Sequence, residues 1–461
     1  METISNSFEF AQATFGKAQL GDARRTKRLM DAATALAQHP GSSIPAACEN
    51  NGSRLEGFYK LIRNDGVDPE AIRQAAFGAT AEAVKPGNDL LLLIQDTTSI
   101  SPVHPLREQL KTKPGSPLGY EVHTGMLVDA ADGVPIGILG QLVWSRKHTK
   151  HEKKLLDVES AKWQCLDEQI KKQDIDKKRL IRVGDREADF FDYLKYCDEE
   201  RNRFVIRAAQ DRHIKQQGAF RRLRQAAEDA PIVGTREITI EQRGAQKKGL
   251  EQNARAARPR HRVTTMLRAT RVELKNPNGK TYISVNIVYV TSVDNELEWL
   301  LLTQEPISTL TEVEAIVSYY EKRWLIEQFH KSWKSGCKVE ERRMGSLDNF
   351  LRIMAITMPI ALRLLRLQIL ANKAAEKPAI EALSLLELQV LWAKIERTQL
   401  PTQMPSCEWA YRSIAKLAGW TDSKRTGRIG VDTLWRGHAI LISLADGWRA
   451  ALEFAAQPNK K

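Results

Sequence analysis

Cysteine is scarce: the 461 residues hold five (Cys48, Cys165, Cys197, Cys337, Cys407), an odd number with no CxxC or Cys/His spacing. That pattern suggests neither a disulfide framework nor a zinc site. No apolar run approaches 18 residues, and the opening METISNSFEF lacks the basic and apolar regions of a signal peptide. The expectation is a soluble cytoplasmic protein without a membrane partner. Acidic residues are the poorer charge class, 57 against 70 Lys and Arg, which leaves a net +13 spread along the chain. Such an excess fits a polyanion better than a small substrate. The length allows two or three domains with sizeable cores.

The richest stretch is TEVEAIVSYYEKRWLIEQFHKSWKSG, Thr311 to Gly336. It has no Pro or interior Gly, opens with Thr311 followed three residues later by Glu314, and ends at a Gly, so it reads as one long helix. At about 100° per residue from Tyr320, Arg323 falls near ~300°, Glu327 near ~340° and Lys334 near ~320°. One carboxylate among two cations and a phenol on a narrow arc suggests a metal ligand beside a phosphate. A solvated helix face with modest ion pairs is the alternative from the helix alone.

Toward the N-terminus, LGDARRTKRLMDAATALAQHPGS predicts a helix capped by Asp22 and stopped at His39-Pro40-Gly41. Arg24, Arg25, Lys27 and Arg28 crowd its first turns, where the helix dipole disfavours cations. Phosphate contact would explain them; solvated arginines on a helical cap are the alternative. GFYKLIRN adds Tyr59, Lys60 and Arg63 on a second short helix, and DPEAIRQAAFGATAEAV predicts a third. Residues 1 to about 70 therefore read as a small, basic, all-α module.

DLLLLIQDTTSIS describes a buried strand that delivers Asp96 at its C-terminal edge. EVHTGMLVDAADGVPIGILGQLVWSR follows as a hairpin turning at Ala130-Ala131-Asp132-Gly133, then the charged KHTKHEKK and the amphipathic LLDVESAKWQCLDEQIKKQ. KRLIRVGDREADFFDYL repeats the first arrangement, an apolar run ending at Asp185 and leading into a helix. An Asp at one strand end is weak, because Asp is a common cap. Two such strands in the order β-β-β-α-β, with Glu327 on a later helix, fit an α/β ribonuclease H-like core. Glu187 and Asp189 read as capping and dipole residues, and His123 as structural.

The 142 positions from Asp185 to Glu327 exceed a simple connection and are strand-rich (RFVIRAA, IVGTREITIEQR, RVTTMLRATRVEL, TYISVNIVYVT, EWLLLTQEP). They predict a β-rich insertion at about 200–305. Within it RGAQKKGLEQNARAARPRHR carries Lys247, Lys248, Arg255, Arg258 and Arg260, and reads as a loop that either is solvated or contacts a DNA backbone.

QDTTS around Asp96, GDREAD around Asp185 and YEKRWLIEQFHKSWKSG resemble the Tn5-like members of the IS4 group of DDE transposases. The last string fits that group's Y-(2)-R-(3)-E-(6)-K signature without a gap, and the likeness extends to FYKLIRN and WAYRSIAKLAGWTDSKRTG near the two ends. The resemblance implies that Asp96, Asp185 and Glu327 are catalytic and bind two Mg²⁺ or Mn²⁺ ions per active site. It implies that Tyr320, Arg323 and Lys334 hold phosphates, that Trp299 stacks a flipped base with Trp324 as a wedge partner, and that a hairpin forms on the transposon end. Core packing is the alternative for both tryptophans. Implied partners are double-stranded DNA, as terminal repeats and target, and a second copy of the chain.

Beyond Met344 the chain turns helical and apolar, with Pro359 inside NFLRIMAITMPIALRLLRLQILANKA and a broad Leu/Ile stripe in AIEALSLLELQVLWAKIER. The expected domains are 1–70, a catalytic domain at 71–368 and a helical dimerisation domain at 369–461. The stripes fit an intramolecular bundle equally well. Cys337-Lys338-Val339 departs from the small residues expected there. A nuclease without strand joining and a catalytically silent DNA-binding repressor are the competing readings.

Overall fold

The first helices begin where their caps dictate. Helices α1 (Ser7–Phe15), α2 (Ala23–Gln38), α3 (Ile44–Ala47), α4 (Gly52–Ile62) and α5 (Pro69–Val84) follow in order, and Asp22, Ser43, Asn51 and Asp68 each accept a backbone N–H at the start of the last four. The computed structural model describes residues 7–103, 105–110, 119–145, 161–240, 259–277, 279–294, 296–373, 375–423 and 429–455. These fall into two compact units, one drawn from Met1–Val158, Cys165–Arg179 and Trp324–Lys461, the other from Glu159–Gln164 and Leu180–Arg323.

In the first unit, β1 (Leu91–Ile100), a short helix α6 (Leu106–Gln109), β2 (Tyr120–Asp129) and β3 (Pro135–Ser145) give an antiparallel sheet, β2 between β1 and β3. The predicted hairpin turn is present. Asp96 does not close β1, however: pairing with β2 runs on through Ile100 opposite Tyr120, so Asp96 sits mid-strand opposite Thr124. Gly137 lets α5 approach β3, because a Cβ there would lie 2.1 Å from Thr80 Oγ1. Helix α7 (Ala161–Ile170) sends Leu166 and Ile170 against Gly125 and Gly140. His123 is buried between Thr97 Oγ1 (3.0 Å) and Gln95 Oε1 (3.3 Å), the structural part expected for it. The KHTKHEKK crossing lies outside the described residues.

The second unit contains β4 (Leu180–Gly184), α8 (Phe191–Glu199), β5 (Arg203–Arg207), β6 (His213–Gln216), β7 (Ala219–Arg222), α9 (Leu223–Glu228), β8 (Ile232–Ile240), β9 (His261–Lys275), β10 (Tyr282–Ser292), β11 (Glu298–Thr303) and α10 (Leu310–Glu321). The strands lie in the order β4-β5-β11-β10-β9-β6-β7, with β8 also on β9; β4 and β5 are parallel and the other pairs are antiparallel. The five strand-like runs are strands. The β6–β7 hairpin is an addition that the apolar patterning did not show, since its turn is Gln217-Gly218, both at positive φ, and its strands are short and polar. Phe191, Leu194, Phe204, Ile206, Val272, Ile287 and Leu302 pack one apolar cluster between α8 and the sheet.

The Leu310–Gly336 path departs from one regular helix. Its cap is Thr309, two residues ahead of the expected Thr311, because Thr309 and Glu312 close a reciprocal capping box. After α10 come a 3₁₀ turn (Lys322–Trp324), α11 (Leu325–Lys331) and a π turn (Ser332–Gly336). The tighter and looser turns change the angular phase, so the single arc drawn on an ideal helix does not carry over to Lys334.

The rest of the first unit is helical: α12 (Leu347–Lys373, with Pro359 inside), α13 (Leu385–Glu396), α14 (Cys407–Leu417) and α15 (Val431–Ala455). Helix α13 starts at Leu385, where Ser384 and Glu387 form a second capping box. Among the described residues one stretch, Leu347–Asn372, is long and apolar enough to cross a membrane, yet 76% of its window is buried within the protein, as in a core helix. Two arginines near its start bind it to the N-terminal helices. Buried Arg342 donates to Ser42 O (3.2 Å), Pro40 O and Cys337 O (2.9 Å), and burial lowers its pKa. Buried Arg352 donates to Val67 O (2.6 Å), Ile62 O (2.8 Å) and Asn349 Oδ1 (3.0 Å).

Arg352→Ala would leave two buried carbonyls without a donor, an expected cost of about 3 kcal/mol. Limited proteolysis should then cut among the first helices earlier than in the parent; an unchanged digestion pattern and melting midpoint would reject this arginine as the clamp. A second expectation concerns pH. Burial lowers the fully buried His438 from 6.5 to about 4, with Glu387 opposing and Arg363 adding to the shift. Its imidazole is neutral in both states above the unfolded value; between there and about 4 the unfolded chain takes up a proton that the fold excludes, so stability falls on acidification. From neutral pH to about pH 5 this costs roughly 2 kcal/mol. His438→Gln should flatten that part of the melting-temperature profile, and equal slopes for the two proteins would contradict the assignment.

Candidate active site

In the first unit the chemistry-bearing pair of elements is β1 and α11, which pack together. The Asp96 side chain is mostly buried; its Oδ1 accepts the Thr97 N–H at 2.8 Å, and its Oδ2 lies 4.0 Å from His330 Nδ1. His330 is in the last turn of α11 and Glu327 in the first, three positions earlier and half-buried. Burial, helped by the Lys334 charge, lowers His330 to about 3, so the ring beside Asp96 is neutral at physiological pH. Phe329 stacks on Trp333, whose Nε1 donates to Thr357 Oγ1 at 2.9 Å, and this anchors the end of α11 and the π turn that holds Lys334. Trp324 is 49% exposed at the start of α11, which removes core packing as its explanation.

The second unit supplies another group. Gly184 ends β4 beneath Ala188 and Trp163: a Cβ there would meet Ala188 Cβ at 2.7 Å and the Trp163 ring at 3.2 Å. Asp185 then caps a 3₁₀ turn (Arg186–Ala188) by accepting the Glu187 N–H at 2.8 Å. Glu187 pairs with Lys162 at 2.8 Å. Asp189 is not the dipole-facing residue expected. It is buried against Arg212 and accepts the backbone N–H groups of Ala209 (2.7 Å) and Gln210 (3.1 Å), because the chain beyond β5 needs acceptors there. Burial raises its pKa against these partners.

That anchorage sits immediately after Arg207, which donates to Glu298 O (2.7 Å) and lies near the Tyr320 hydroxyl. Burial raises the Tyr320 hydroxyl, the Arg323 and Arg207 charges oppose this, and the Asp185 charge adds to it, so all three lie within electrostatic reach of one phenol. Half-buried Trp299, on β11, meets Tyr320 edge to face with centroids 5.0 Å apart. Arg186, Arg207 and Arg224 line a small cavity of about 30 Å³ beside Glu298. None of these three arginines was singled out from sequence; Arg186 stands inside GDREAD, whereas Arg207 and Arg224 carried no pattern that marked them.

Asp96, Glu327 and Asp185 offer carboxylate oxygens, the donors that a hard divalent cation prefers, and neutral His330 puts no positive charge beside Asp96. Of the N-terminal cations, Arg24 pairs with Asp22, and Arg25 donates to Leu20 O and Gly66 O, both at 2.9 Å. Those bonds answer the helix-dipole problem for two of the four without a ligand. Lys27 is exposed, Arg28 half-buried, and Arg63 lies 4.6 Å over the Tyr59 ring. Arg260 is exposed; Lys247, Lys248, Arg255 and Arg258 lie outside the described residues.

Residues 7–67 match the transposase DNA-binding family, and residues 123–362 match the transposase DDE domain. The second match spans more than half of the chain, which therefore belongs to the DDE transposase family. It is a DNA transposase, from a family that cleaves DNA with the help of divalent metal ions. Asp185 and Glu327 fall inside the DDE match; Asp96 precedes it.

Gly184→Ala should push the Ala188 turn outward and move Asp185 with it. Where the displaced carboxylate holds a reacting centre, a displacement of about an ångström is worth roughly 10²-fold in cleavage rate. The paired change Ala188→Gly should restore most of the loss, and a Gly184→Ala protein that cleaves normally would show that the close contact does not set the position of Asp185.

Proposed function

We propose that this transposase is a cut-and-paste enzyme of the IS4 group, similar to the Tn5 transposase, with Asp96, Asp185 and Glu327 as its metal-holding carboxylates. The packing of the Glu327 helix on the Asp96 strand carries the reading, because it brings two of the three acids into one neighbourhood around a neutral histidine. In the second unit Asp185 lies within electrostatic reach of Tyr320, as do Arg207 and Arg323. A pair of Mg²⁺ or Mn²⁺ ions held at such carboxylates supplies activation of water or a 3′-hydroxyl and stabilisation of the leaving oxygen at phosphorus.

The chain's own residues do the rest. Tyr320, Arg323 and Lys334 grip phosphates of the non-transferred strand, and the Arg207 charge favours the ionised form of the phenol. Trp299, edge-on to Tyr320, offers a face for a flipped base, and exposed Trp324 is the wedge. The same carboxylates then serve end cleavage, hairpin formation and opening, and joining of the 3′ end to target DNA. Residues 7–67 bind the terminal repeats, with Arg24, Lys27, Arg28, Tyr59 and Arg63 as backbone contacts. Within this reading the catalytic domain is 71–368, with its β-rich insertion at about 200–305 and Arg260 in the insertion's basic loop on the DNA. The 369–461 domain joins two copies in the synaptic complex, where Trp448, Leu452 and Phe454, exposed on α15, are available for the contact.

The test is a reaction of the purified protein with an end oligonucleotide from the element's own flank, a supercoiled target and Mg²⁺, run beside Glu327→Ala. Cleavage and joining should both occur and both fall at least 10³-fold in the variant. Cleavage without joined product would favour a nuclease, end binding without cleavage in Mg²⁺ or Mn²⁺ would favour a repressor, and full activity of Glu327→Ala would remove that residue from the triad.

A further inference from the structure

Away from these carboxylates, three metal-ligating side chains converge from distant parts of the first unit. His39 is the residue on which α2 ends, Glu49 lies in the turn between α3 and α4, and Asp446 is on α15. One ligand atom of each lies within 4.8 Å of the other two. His39 Nε2 is buried with no hydrogen-bond partner, and it faces Glu49 Oε1 at 4.0 Å. An imidazole nitrogen in that position, directed at two carboxylates, lacks the partner that buried polar atoms ordinarily have.

The carboxylates are already oriented from behind. Arg54 Nη1 donates to Glu49 Oε2 at 2.6 Å, which leaves Oε1 toward the histidine. Gln38 Nε2 donates to both Asp446 oxygens at 3.3 Å, and Arg449 Nη1 is 3.8 Å from Oδ1. Donors behind the ligand oxygens are what metal centres use to fix their ligands. Glu49 and its neighbour Asn50 also take up left-handed backbone conformations, φ 54° and 55°, where a side-chain-bearing residue is strained.

We propose that His39, Glu49 and Asp446 form a binding site for a borderline divalent transition cation, with Zn²⁺ as the reference ion, distinct from the Asp96, Asp185 and Glu327 set. One imidazole nitrogen and two carboxylate oxygens suit Zn²⁺ better than Mg²⁺, which prefers an all-oxygen shell, and a water would complete a tetrahedron. Ligand atoms around Zn²⁺ stand about 3.4 Å apart, so the present spacing closes by roughly an ångström, mainly through rotation of the half-exposed Glu49 side chain. The ion would tie the end of α2 and the α3–α4 turn to α15. Arg54 and Arg449 stand close enough to hold the affinity in the micromolar range rather than the nanomolar.

The experiment uses the full chain with Asp96→Asn, Asp185→Asn and Glu327→Gln, so that the DDE carboxylates do not report. Equilibrium dialysis against Zn²⁺ should give one ion per chain, undisplaced by millimolar Mg²⁺, and Co²⁺ in its place should show the visible absorption of a tetrahedral site. Adding His39→Gln or Asp446→Asn should abolish that ion and the rise in melting temperature it brings, with circular dichroism unchanged. Gln38→Ala should weaken binding about tenfold. No bound zinc in the background protein overturns the proposal, as does an ion whose stoichiometry and cobalt spectrum survive His39→Gln.

Discussion

One helical path, from Leu310 to Gly336, imposes the constraint that the rest of the molecule serves. It carries Tyr320 at the end of a regular helix, Arg323 in a 3₁₀ turn, Glu327 in a second helix and Lys334 in a π turn. Each change of pitch re-aims the residues that follow, so side chains spaced for one face of an ideal helix come to serve different neighbours. Packing holds these irregular turns in place: Leu325, Ile326, Phe329 and Trp333 are all buried, and a Cβ on Gly336 would lie 1.9 Å from the Trp435 ring. A regular helix would have needed less support. Such local irregularity is common where function fixes geometry.

What could be read from sequence was whatever a few adjacent residues decide. The run Leu90–Ile94 makes a strand in any setting, Asp22 caps a helix because its carboxylate reaches the next N–H groups, and Asp132-Gly133 turns a hairpin. The strand ends were less legible. Nothing in QDTTS says that β1 continues to Ile100; its partner Tyr120 on β2 decides that, and Asp96 moves from strand end to mid-strand in consequence. Asp189 misled for the same reason. Its sequence position resembles a cap, but Arg212 and two N–H groups beyond β5 claim it, and these are about 20 positions away. His39, Glu49 and Asp446 are the extreme case: no window on the chain contains all three.

The candidate site divides along the same line. The Y-R-E-K spacing was visible because its four residues fall within 15 consecutive positions of one helical path, and Asp185 because Gly-Asp after an apolar run ends a strand. Arg207 and the neutral state of His330 were invisible, since they depend on which surfaces become buried. A buried histidine with Lys334 nearby stays uncharged, and only the packed structure specifies that burial.

The net charge of +13 was the first sign of a polyanion partner, and the fold shows how such a count should be discounted. Arg342 and Arg352 are buried on backbone carbonyls, Arg212 on Asp189, and Arg25 on Leu20 O and Gly66 O. These cations hold the molecule together, and they are not offered to a ligand. Arg24 is exposed but shares its charge with Asp22. Lys27 and Arg63 on the N-terminal helices and Arg260 and Arg262 at the start of β9 are also exposed. Charge that must serve structure is buried and satisfied by carbonyls, whereas charge that meets DNA has to remain hydrated until contact, because the release of counterions from the DNA is what makes the contact favourable. Exposure, more than the total, therefore separates the two uses of the same residue types.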